Sequence, residues 1–149
     1  MSNNENTIKV VRSVIQVLHD GQQGLATIGS ELKNEAAKRF CLEETQVRAN
    51  FAAELTNELH RLGVPDVHET GTASGTVHRV WAELKSKLGG GDHTLLETAE
   101  QGEDEAKRKY AEALQESLPG TVLDLLRRQQ EHINRSHDII RGFRDSKVS

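Results

Sequence analysis

Apolar side chains return every three or four positions through four long stretches, and no other feature of this chain narrows its fold as far. The first stretch runs from Asn6 to Glu31, with Ile8, Val11, Ile15, Leu18, Leu25 and the following Leu32 on one side and Gln22 in the missing step. A period near 3.6 gathers these side chains into one helical stripe, whereas a strand would scatter them over both faces. A break near Lys33 and Asn34 leads to a second helix with Phe40, Val47, Phe51, Leu55 and Leu59, ending at Leu62 before the stop of Gly63 and Pro65. Val64 to Ser74 reads as loop, and Gly75 to Leu88 as a shorter helix closed by Gly89-Gly90-Gly91.

Asp92 and Thr94 are alternative N-caps for the third long helix, Thr94 forming a capping box with Glu97. Its inner side carries Leu95, Ala99, Ala106 and Tyr110. Leu118-Pro119-Gly120 separates it from a fourth helix lined by Val122, Leu126, Gln129, Gln130, Ile133, His137 and Ile140, with fraying expected over Asp145 to Ser149. The expected class is therefore all-α, one domain over residues 1–149. Two helix hairpins joined by a long crossover with its own short helix have the connectivity of a ferritin-like four-helix bundle. A crossover as long as the bundle makes the second and third long helices parallel. Gly21, Gly24 and Gly29 each weaken the first helix by about 1 kcal/mol relative to Ala, so they are expected to mark close approach of a neighbour.

Several polar residues interrupt the stripes. Glu44 lies about 20° from the centre of the second stripe, and Glu103 falls between Ala99 and Ala106. Gln22, Gln130 and His137 hold comparable positions, and all five fall in one layer ~16 Å from the first turn at 1.5 Å per residue. A buried carboxylate must be paired, protonated or metal-bound, so two chemistries are open. In one, Glu44, Glu103 and His137 hold iron, manganese or zinc. In the other, Arg48, one turn from Glu44, pairs with Glu103 or Glu44 while Gln22, Gln130 and His137 complete the hydrogen bonds. The second is favoured, and a carboxylate-bridged pair of metal ions is disfavoured further, because Val47 and Ala106 stand where it would need the His of a Glu-x-x-His motif. The absence of a required metal is the corresponding expectation for cofactors.

The remaining polar groups read as ordinary. Glu97, Glu100, Asp104 and Glu105 are expected on a solvated face, and His19, His60, His68 and His93 at the surface or in loops. Trp81 is expected to plug the core, with His78 and Arg79 packing the crossover onto the bundle. Val17, Ile28 and Ile139 lie off the main stripes and fit either a homodimer face or the crossover helix.

Charge and cysteine content restrict partners. Net charge is -4 with both signs interleaved, which disfavours nucleic acid, and no apolar run reaches the roughly 18 to 20 residues that span a bilayer. Cys41 is alone and Met1-Ser-Asn-Asn-Glu5 lacks the features of an export signal, so a cytoplasmic location is expected.

Five fragments then point to a family. These are Asp20-Gly21-x-x-Gly24; Arg48-x-x-Phe51-Ala-x-Glu54-Leu55 with Leu62-Gly63; Gly75-x-x-His78-Arg79-x-Trp81-x-x-Leu84-Lys85; Glu100-x-Gly102-Glu103-Asp104 with Tyr110 and Leu114; and His137-Asp138-x-x-Arg141. In this order and spacing the chain resembles a bacterial domain-of-unknown-function family of ferritin-like four-helix-bundle proteins. The resemblance implies that architecture over nearly the whole chain and no established activity. Iron-storage and di-iron oxidase proteins in the wider superfamily make metal binding an expectation by analogy. The expected function is a non-enzymatic, stress-related or interaction module. The alternative is a metal-dependent oxidoreductase or iron-handling protein using Glu44, Glu103 and His137.

Overall fold

A computed structural model describes residues 2–65 and 80–146, and all regular structure among them is helical. The elements are α1 (Ser2–Glu31), α2 (Glu35–Arg61), the short α3 (Leu84–Lys87), α4 (Asp92–Ala113) and α5 (Gly120–Asp145). Residues 80–82 are also helical, and the chain turns at Glu83 before α3. His68, His78 and Arg79 lie outside the described residues.

Local chemistry sets the ends of these helices. Asn34 caps α2 by accepting the Ala37 N–H at 2.9 Å. At the other end Gly63 adopts φ +92, which lets its N–H reach His60 O and the Val64 N–H reach Leu59 O, both at 3.0 Å. The expected capping box does not start α4. The helix begins at Asp92, two residues before Thr94, and Gly91 precedes it without a side-chain cap. Asp92 instead turns its carboxylate to the first hairpin and accepts the N–H groups of Lys33 at 2.9 Å and Asn34 at 2.8 Å.

That contact fixes the direction of α4. It starts beside the α1–α2 turn, where α2 also starts, so α2 and α4 run parallel. At the opposite end Asn6 donates to Glu116, bringing the start of α1 to the α4–α5 connection. Helix α1 packs on α2 and α4, and α5 packs on α4 and α2, so the parallel helices stand diagonally and every neighbouring pair is antiparallel. The four long helices form a bundle in which the chain between α2 and α4 travels from one end to the other.

The apolar interior falls into two clusters. Toward the α4–α5 connection are Val11, Ile15, Leu18, Leu55, Leu59, Tyr110, Leu126 and Ile133. Toward the α1–α2 turn are Leu25, Ile28, Leu32, Ala37, Cys41, Leu95, Ala99 and Ile140. Each fully buried Leu or Ile contributes about 1.5–3 kcal/mol, so these stripes supply most of the drive for assembly. Val17 and Ile28 are buried in this core and do not form an outer face, whereas Ile139 is exposed.

Trp81 touches both clusters. A Cβ added at Gly24 would lie 2.2 Å from its ring, and one at Gly102 only 2.0 Å away. The indole is therefore wedged between α1 and α4, and both helices give up a side chain to admit it. Gly29 has a different neighbour, since a Cβ there would come within 2.7 Å of Leu42.

Candidate functional site

Between the two apolar clusters lies a layer of charge. Arg48, on α2, is the largest fully buried side chain and has both carboxylates within reach. Its Nη1 donates to Glu103 Oε1 at 2.6 Å and its Nη2 to Glu103 Oε2 at 2.7 Å, a two-pronged pairing that matches the planar guanidinium to the carboxylate. Nη2 also donates to Glu44 Oε1 at 3.0 Å and approaches Ser136 Oγ at the same distance. The Ser136 hydroxyl in turn donates to Glu103 Oε2. From α5, His132 Nε2 lies 2.8 Å from Glu44 Oε2, and because a carboxylate only accepts, this nitrogen carries the proton. The His132 ring meets Phe51 edge-on, with centroids 5.4 Å apart.

Every long helix contributes to this level. Gly21 supplies the α1 wall, where an added Cβ would stand 3.6 Å from Arg48 Nη1. Burial alone would lower the affinity of Arg48 for its proton, yet the charges and hydrogen bonds of Glu103 and Glu44 outweigh it and hold the guanidinium ionised well above its ordinary range. One donor, Arg48 Nε, has no hydrogen-bond partner among the described residues. The same burial, reinforced by the two glutamates, pushes the nearby Cys41 thiol up to about 12, so it stays protonated and unreactive.

A second polar bridge ties three helices about two turns further along. Buried Gln129 accepts from the Tyr110 hydroxyl at 2.8 Å and donates to Phe51 O at 3.3 Å and Glu54 Oε1 at 3.0 Å. Burial raises the Tyr110 pKa, keeping the phenol neutral as a donor.

Glu44, Arg48 and Glu103 thus meet as the sequence suggested, but the companions differ. Gln22 and Gln130 are only partly buried, and the positions beside them, Gly21 and Gln129, face inward instead. Ser136 and His132 complete the layer, although neither stands out on the apolar stripe of α5. The three expected metal ligands do not converge: among the described residues, the one group spaced to hold a metal ion joins His137 to Glu100 and Asp104, leaving Glu44 and Glu103 to Arg48. Glu100 departs from the expected solvated face. It is buried and paired with Arg141 Nε at 3.1 Å and with Arg144 Nη1.

A family profile, Domain of unknown function (DUF2383), matches residues 6–116. The chain belongs to this family. The match spans α1 through α4 and so includes Glu44, Arg48, Trp81 and Glu103, while His132, Ser136 and His137 lie beyond it. No curated protein matches the chain. Membership in DUF2383 therefore gives this bundle a family without assigning it a reaction. No described helix is long and apolar enough to cross a membrane.

Proposed function

We propose that this DUF2383 chain is a ferritin-like bundle without enzymatic activity, acting in the bacterial cytoplasm as an interaction module. The observation that carries this reading is the position of Arg48. Its guanidinium sits between Glu44 and Glu103 at mid-bundle, where ferritin-like proteins place metal ions between carboxylates from different helices. A fixed cation there uses both Glu103 oxygens and one oxygen of Glu44, leaving the carboxylates engaged with the protein itself. The long crossover between two helix hairpins supports the ferritin-like comparison, and a single cysteine, Cys41, outside any disulfide suits a reducing compartment.

On this reading the charged layer specifies how the helices register, and the outer helix surfaces meet a protein partner or a second copy. Ferrous iron added to the tag-free protein in air should consume no more oxygen than buffer alone. Catalytic oxygen consumption abolished by Glu103→Ala would overturn the proposal in favour of an iron-handling enzyme.

A further inference from the structure

His137 presents a chemical conflict that the charged layer does not explain. The ring is fully buried on α5, and its Nδ1 lies 3.0 Å from Asp138 Oδ1. A carboxylate accepts only, so Nδ1 carries a proton. In the neutral ring Nε2 is then a lone-pair acceptor. It nevertheless faces two carboxylates on α4, with Asp104 Oδ1 at 2.7 Å and Glu100 Oε2 at 3.5 Å. Asp104 lies close but off the hydrogen-bonding direction, and among the described residues Nε2 has no hydrogen-bond partner.

We propose that these three acceptors form a binding site for a first-row divalent transition cation of the zinc type. Three arguments meet here. One is spacing: the ligand atoms of Glu100, Asp104 and His137 all lie within 4.8 Å of one another. Two ligands each ~2.1 Å from a common ion stand ~3.0 Å apart at a right angle and ~3.4 Å apart at a tetrahedral angle, and the two nitrogen–oxygen distances bracket those values. Another is the ligand set, since one imidazole with two carboxylates suits zinc or its neighbours and not magnesium or calcium. The third is orientation: an Asp138 hydrogen bond to the far ring nitrogen is the outer contact that commonly aims a metal-binding histidine.

Helical geometry explains why the site forms. Glu100 and Asp104 are one turn apart on α4 and share the edge facing α5, where His137 enters. Asp104 is more than half exposed, which gives an ion a path from solvent. Arg141 and Arg144 compete for Glu100, so an ion must share that carboxylate or displace Arg141 from Oε2. The site is separate from the Arg48 layer and does not depend on the proposed absence of enzymatic activity.

Zinc titration by calorimetry into chelator-washed, tag-free protein tests the assignment. One zinc per chain is expected, with Asp104→Asn weakening it at least tenfold and Asp138→Ala by about 10–100-fold. Histidine-ring nitrogen NMR should show Nε2 of His137 shifting on zinc addition while Nδ1 remains protonated. Because Asp104 is largely exposed, its variant should fold even where a His137 substitution does not. No binding, affinity indifferent to Asp104→Asn, or an unmoved His137 Nε2 would each overturn the proposal.

Discussion

Arg48 is the residue on which the interior turns. Removing its charge leaves Glu44 and Glu103 buried without their counter-ion, a loss of about 3–5 kcal/mol for broken pairs of this kind. Arg48→Met should therefore lower stability by that amount in urea unfolding followed by circular dichroism. Replacing all three together, Glu44→Leu with Arg48→Met and Glu103→Leu, should recover part of it, because no buried charge is left to desolvate while the Ser136 hydroxyl loses both of its partners. A triple variant as unstable as the single one would mean that the layer does more than neutralise itself. The sequence makes both the burial of these glutamates and the role of Arg48 legible, since all three follow from helical phase. It does not make Ser136 and His132 legible as partners. A small hydroxyl and an off-stripe imidazole become inner residues only when α5 is set at a particular rotation against α2 and α4.

At the scale of elements, the glycines of α1 and α4 separate close packing from simple permissiveness. Alanine is favoured over glycine within a helix by about 1 kcal/mol, so each Gly→Ala change starts with a gain. At Gly21 the new methyl would make ordinary contact with Arg48, and stability should rise by about 0.5–1 kcal/mol. At Gly102 the methyl would overlap the Trp81 ring, and the clash should reverse the sign, costing about 1–3 kcal/mol. Trp81 is the single tryptophan of the chain, so its displacement is also read directly as a red shift in fluorescence. Equal responses at the two positions would contradict the wedge. The expectation of close approach was available from three glycines in one apolar helix. The identity of the intruder was not, because Trp81 is 57 residues from Gly24 and the opposing Gly102 belongs to another helix.

For the whole molecule, the decisive contact is small. Asp92 joins the start of α4 to the Lys33 and Asn34 amides and so holds the two hairpins in their relative direction. Asp92→Ala removes two hydrogen bonds to a charged acceptor at a partly exposed site and should cost about 1–2 kcal/mol in the same unfolding measurement. An unchanged midpoint would place the orientation of the hairpins entirely in the packed stripes. Sequence signals identified Asp92 as a helix-start residue, and it is one by position. Its side chain serves a neighbouring turn instead of its own helix, since the turn's amides converge on it across the bundle.

Helical phase is a local property, and it specifies the four long helices, the two hairpins, the buried stripes and the level at which charge interrupts them. Tertiary structure alone decided which side chains meet at that level. His137 and Glu103 both lie inward on their helices, yet the rotation of α5 against α4 gives His137 to Glu100 and Asp104 and gives Glu103 to Arg48 and Ser136. A displacement of one residue turns a helical side chain through about 100°, and periodicity read along one helix carries no information about the angle at which the next helix meets it.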